Sequence, residues 1–125
     1  MRIAIAFLTK ELKQETHDFA TEIKRITNFD TYVFCDEPFP ECKYIESIMG
    51  GSVEDGVITS VSPIGVSTIY VPDQNCIESN YINSNINSHS THIKKNPIAM
   101  DKMLYYFCAD CGKGAYDFIW IFEDD

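Results

Sequence analysis

The chain has 125 residues, of which 45% are hydrophobic and 23% charged, and a formal net charge of −9. This is the composition of an ordinary globular protein, sized for one domain spanning 1–125, with no apolar run near the roughly 20 residues of a membrane-crossing helix. The negative field repels phosphate backbones and acidic membranes, so neither nucleic acid nor membrane is an expected partner, and a nucleotide would need a cation to mediate its binding.

Ile3 to Leu8 is apolar at every position, the pattern of a central parallel strand. Thr9 is the expected N-cap of the amphipathic helix that follows, in which Leu12, Phe19, Ala20, Ile23 and Ile26 recur near helical spacing up to Asn28. Thr31 to Cys35 is short, β-branched and aromatic, which completes a βαβ unit and, by handedness, a parallel pair. Asp36 and Glu37 then stand at the carboxyl end of the second strand. From Pro38 to Gly56 the signals weaken, with one short helix expected over Tyr44 to Met49. Val57 to Val61 and Val66 to Val71 are β-rich runs around Ser62-Pro63-Ile64-Gly65, readable as a hairpin or as an irregular stretch leading into a third strand. Pro72-Asp73 opens a short helix through Glu78.

Asn80 to Asn96 is an Asn- and Ser-rich loop, and its His89 and His92 are a weak metal pair. A helix follows, with Asn96 as cap, Pro97 in the first turn, and Met100, Leu104, Phe107, Cys108 and Cys111 as the expected buried stripe. Asp101, Lys102 and Tyr105 fall off that stripe. Gly112 and Gly114 end the helix. Five cysteines, an odd number, and the lack of an N-x-[ST] acceptor suit a reducing, cytoplasmic compartment. Cys108 and Cys111, with Cys35 and Cys42, have zinc or redox spacing on paper, but Cys108 and Cys111 fall on the apolar stripe, and small buried thiols are the better explanation.

The most informative stretch is the last. Phe118 to Phe122 is an apolar, β-rich run that reads as a strand buried on both faces, and it leads directly into Glu123-Asp124-Asp125. Ligands of open α/β sheets bind outside the carboxyl ends of the strands, and three carboxylates there supply hard oxygen ligands for Mg or Mn. The turn after the first strand, Leu8-Thr9-Lys10-Glu11, lacks the glycines of a dinucleotide site, and no P-loop is present.

Asp101-Lys102-Met103-Leu104-Tyr105-Tyr106-Phe107 and Glu123-Asp124-Asp125 resemble the corresponding segments of nucleotide-sugar-dependent glycosyltransferases of the GT-A fold, the second as a D-x-D-type motif. The resemblance implies a three-layer, Rossmann-like α/β domain with a mainly parallel sheet. Its strands are expected near 2–8, 31–35, 66–71 and 117–122 in spatial order 3-2-1-4, and this chain covers the nucleotide-binding half, up to the acidic-motif strand. It further implies that Phe7, Leu8 and Thr9 border the base and ribose of a UDP-sugar such as UDP-glucose, and that Asp36 hydrogen-bonds one of them. Asp101 and Lys102 would face the ribose and phosphates. Glu123 and Asp124 would contact the nucleotide, and Asp125, with Glu123, would ligate Mn or Mg. Since the family's acceptor half lies after this motif, donor binding or weak donor hydrolysis is expected rather than complete transfer. The alternatives are a non-catalytic α/β interaction domain and, on the cysteines alone, a zinc or redox protein. Plain structural roles also exist: Asp36 as a turn residue, Lys102 as a solvated helix residue, Phe7 and Leu8 as core, and Tyr105 and Tyr106 as packing. An uncovered far edge of the sheet would favour a homo-oligomer.

Overall fold

The structure is a computed structural model, described here for residues 1–38, 57–78, 98–109 and 115–123. Five strands form one sheet: β1 (Ile3–Thr9), β2 (Asp30–Cys35), β3 (Ile58–Val61), β4 (Val66–Tyr70) and β5 (Phe118–Glu123). Their spatial order is β3-β4-β2-β1-β5. The β1–β2, β1–β5 and β2–β4 pairs are parallel, and only β3 runs antiparallel, against β4. The parallel core thus has the expected 3-2-1-4 arrangement. The 57–71 stretch resolves as the hairpin reading, closed where Gly65 N–H donates to the Ser62 carbonyl at 2.9 Å and Gly65 takes φ +101, a conformation natural to glycine.

Alternation along the central strands divides the core between two faces. On one face, Ile5, Phe7, Val33, Cys35 and Val66 pack with Ala20 of α1 (Gln14–Thr27). On the other, Ala4, Ala6, Leu8, Phe34 and Ile69 meet Cys76 of α2 (Asp73–Glu78), Ala99 and Met103 of α3 (Ala99–Leu104), and Tyr105 and Phe107 of the π-helical turn Tyr105–Ala109. Ala4 and Ala6 are fully buried, and their small side chains leave room for this second layer of rings. Phe34 is in ring contact with Tyr32, Tyr106 and Phe107 there. At the amino end of the sheet, Tyr116 Oη donates to Asp30 Oδ2 at 2.7 Å and lies 2.5 Å from Tyr32 Oη. The Asp117 carboxylate accepts the Arg2 N–H at 2.8 Å, joining β1 to the start of β5.

Several expectations need correction. Thr9 does not cap α1; it is the last residue of β1, its hydroxyl donates to the Glu11 carbonyl at 2.7 Å, and the helix begins five residues later with Lys13 at the cap position. The end of α1 falls as expected: Asn28 adopts φ 56 and donates its N–H to the Lys24 carbonyl, a left-handed C-cap. The strand β5 is not buried on both faces. It has one strand neighbour among the described residues, β1, and Phe118, Trp120, Ile121 and Phe122 are 56%, 61%, 42% and 38% exposed. The physical reason is that α1 sits mainly over β1, β2 and β4 and meets β5 through Phe19, whose ring lies edge-on to Phe122 at 6.3 Å.

The buried stripe of α3 is also displaced. Leu104 and Cys108 are exposed, whereas Ala99, Asp101, Lys102, Met103, Tyr105 and Phe107 are buried. Tyr105 and Tyr106 belong to the core packing, as their plain structural reading has it. The expected cap Asn96 and first-turn Pro97, the helix ends Gly112 and Gly114, the Tyr44–Met49 helix, the Asn80–Asn96 loop with His89 and His92, and Cys42 and Cys111 lie outside the described residues. Among the described residues no helix is long and apolar enough to cross a membrane.

Candidate functional site

The carboxyl ends of β1, β2 and β5 open on the same side of the sheet because all three strands run parallel. Pairing continues just beyond the strands: Asp36 N–H donates to the Thr9 carbonyl at 3.0 Å and Glu37 N–H to the Lys10 carbonyl at 2.9 Å. Asp36 is thereby held beside Thr9, while the register that pairs Leu8 with Glu123 brings the acidic end of β5 to the other side of β1. Between them is a cleft of about 230 Å³ lined by Leu8, Thr9, Lys10, Asp36, Ile98, Ala99, Met100 and Glu123. It occupies the position that open α/β sheets use for ligands, outside the strand ends and against a helix start.

Two other hollows lie elsewhere. One of about 320 Å³, beside the β3–β4 hairpin, is lined by Leu12, His17, Ser60, Val61, Ser62, Pro63 and Thr68, with no carboxylate or lysine among the described lining residues. The other, about 240 Å³, lies beside Phe7, Glu15, Thr16, Phe19, Phe122 and Glu123. The cleft at the strand ends is the stronger candidate although the first hollow is larger. It alone contains a buried polar atom without a hydrogen-bond partner among the described residues, Asp36 Oδ1. Such an atom costs free energy until a donor meets it.

The electrostatics behind Asp36 come from α2 and α3. Burial pushes the Asp36 carboxyl above the ordinary aspartate range; Lys102 and the Ala99 backbone N–H act in the opposite direction, and Asp73 and Asp101 add to the rise. Burial also raises Asp101, against a hydrogen bond from the Ile98 backbone N–H at 2.9 Å. That bond makes Asp101 the N-terminal brace of α3. Lys102 is fully buried, and its Nζ donates to the Asp36 carbonyl oxygen at 2.6 Å, pairs with Asp73 Oδ1 at 3.0 Å, and lies 4.3 Å from the centre of the Tyr70 ring.

Of the residues singled out in the sequence, Leu8, Thr9, Asp36 and Glu123 come together in the cleft. Phe7 does not join them. It points to the opposite face, where it stacks on Phe122 with ring centroids 5.1 Å apart and meets Phe19 edge-on at 5.5 Å. Asp101 and Lys102 lie behind the cleft wall and are buried. Asp124 and Asp125 fall outside the described residues, and no group of three potential metal-ligating side chains occurs among the described ones. Tyr70, Asp73 and the Ile98–Met100 turn were missed by sequence reasoning. A signal for them did exist, since placing Ala99, Met103 and Phe107 at i, i+4 and i+8 turns Lys102 inward, and a buried lysine demands a carboxylate. Comparison with known proteins finds no family, no curated protein and no solved structure that the chain matches.

Proposed function

We propose that the strand-end cleft binds a nucleotide-diphosphate sugar, with a UDP-sugar as first candidate, through Mn or Mg held by the Glu123-Asp124-Asp125 motif. The fold is then a Rossmann-like, three-layer domain of GT-A type. The observation that carries this reading is the meeting of Asp36, with its unpartnered carboxylate oxygen, and Glu123 in a single cleft at the ends of parallel strands. Asp36 accepts a hydrogen bond from the nucleoside, Leu8 and Thr9 form the wall beside it, and Glu123 faces the ribose or the cation. The donor set suits that cation, because carboxylate oxygens are the ligands Mg and Mn prefer, and Glu123 has no ion-pair partner among the described residues. A bound divalent cation supplies charge neutralisation and polarisation of the diphosphate. The activity proposed is metal-dependent binding of the nucleotide-sugar donor, in the manner of a glycosyltransferase's donor site.

Calorimetric titration of UDP or UDP-glucose is expected to show binding chiefly when Mn is present. Asp36→Ala should weaken it by about 1–3 kcal/mol, the size of one charged hydrogen bond, and Asp125→Ala by more. Equal binding by wild type and Asp125→Ala in Mn would remove the metal site. If no UDP-, GDP- or CDP-sugar bound under any condition, a non-catalytic interaction domain would become the better reading.

The exposed aromatic side chains of β5 further support self-association, since a strand with an open flank is a ready pairing edge. Sedimentation over a range of concentrations should reveal a dimer or larger species that Trp120→Lys disperses. A wild type that stays monomeric at the highest concentration would end this part of the proposal.

A further inference from the structure

The ammonium of Lys102 has three N–H donors, and three partners surround it: the Asp36 carbonyl, the Asp73 carboxylate and the face of Tyr70. It is 0% exposed, so no donor is directed to the open cleft. The same helix reaches Asp36 a second time, through the Ala99 N–H that stabilises its carboxylate. Asp36 is consequently gripped by α3 at its carbonyl and at its carboxylate, while one carboxylate oxygen remains without a partner.

We propose that Lys102 is the positioning residue of the cleft: it braces the end of β2 through the Asp36 carbonyl and so fixes where the Asp36 carboxylate stands, without itself reaching the ligand. The proposal relies on the nucleotide reading only for the identity of that ligand. The charged groups facing Asp36 are Lys102 and Asp101 from α3 and Asp73 from α2, with Lys10 and Glu123 on the cleft wall. Both aspartates disfavour ionisation of Asp36, and Lys102 opposes them. Removing the lysine therefore both loosens Asp36 and favours its neutral form, in which one oxygen carries a proton and donates rather than serving as a charged acceptor.

The test uses the whole chain and two readouts. In the first, the Asp36 carboxyl is followed by carbon NMR against pH in wild type and Lys102→Met; its midpoint is expected to rise by about one pH unit or more in the variant. In the second, UDP affinity in Mn is measured in a double-mutant cycle with Asp36→Asn. Lys102→Met should weaken binding about tenfold in the wild-type background and less than about twofold once Asp36 is changed, the mark of a residue acting through another. Lys102→Gln keeps an N–H for the Asp36 carbonyl and should restore part of the affinity; it also serves for both readouts if Lys102→Met does not fold. An unchanged Asp36 midpoint, or equal losses in the two backgrounds, would overturn the proposal and leave Lys102 as a direct ligand contact or a core filler. Should wild type bind no nucleotide, the ligand assignment fails, and the Asp36 titration still decides the role of Lys102.

Discussion

Phe34→Ala is expected to destabilise the fold by about 3–5 kcal/mol, read as a lower urea midpoint at unchanged slope. Phe34 is the largest fully buried side chain among the described residues, next to the last residue of β2, and its ring lies 6.0 Å from Tyr32, 5.6 Å from Tyr106 and 5.5 Å from Phe107. Its removal forfeits both the transfer free energy and the aromatic contacts. The cavity cannot collapse easily, because the strands on either side are fixed by their ladders and the π-helical turn by its own packing. Trp120→Ala is the control: the ring is larger but 61% exposed, and the loss should stay within about 1 kcal/mol. Similar losses for the two variants would mean that the aromatic cluster on the α3 face is not the core of the molecule.

Stability is expected to fall steeply between about pH 9 and pH 12. Burial pushes the Cys76 thiol up from 9.0 to about 12, with Asp101 and Asp73 contributing to the rise and Lys102 opposing it. In the unfolded chain the same thiol ionises near 9, so above that pH the unfolded state releases a proton that the folded state retains. A group raised in the folded state contributes fully below its unfolded value, and that contribution is lost as pH climbs to the folded one. The difference corresponds to about 4 kcal/mol at the alkaline limit. Tyr116 acts in the same direction, raised by burial and by its hydrogen bonds to Tyr32 and Asp30. Urea unfolding at pH 7, 9 and 11 should show this loss in wild type and a much flatter profile for Cys76→Ala. Parallel profiles for the two proteins would rule out the thiol as the cause.

The parallel centre of the sheet was legible because β1 and β2 are apolar at nearly every position, a pattern that only a strand covered on both faces requires. The hairpin before β4 stayed ambiguous in the sequence, since a Ser-Pro-Ile-Gly turn serves a hairpin and an irregular crossing equally well. For β5 the same all-apolar pattern misled. Residue type records what a position tolerates, not whether a second helix covers it, and α1 meets that strand through Phe19 on Phe122. On α3 the error was electrostatic. Apolar periodicity favoured Leu104 over Lys102, but an ion pair with Asp73 and a bond to the Asp36 carbonyl satisfy the buried ammonium and set the face that turns inward. At the site, strand-end residues were readable because parallel topology gathers them at one edge. The supports from α2 and α3 were harder to read, because they depend on which side of each helix packs, and the spacing of Ala99, Met103 and Phe107 was the one signal for it.

The pairing of β1 with β5 also has a consequence for biosynthesis. Ile3 to Leu8 leaves the ribosome well before the strand that covers one of its two edges, which begins at Phe118. At usual elongation rates that interval is on the order of ten seconds. During it β1 and β2 can already pair, leaving the other edge of β1 an apolar template open to foreign strands. Contacts of such long sequence separation also slow refolding relative to a helical protein of similar size. The nascent chain is accordingly most prone to aggregation before β5 has been synthesised, and chaperones that shield exposed strands would be most useful in that period.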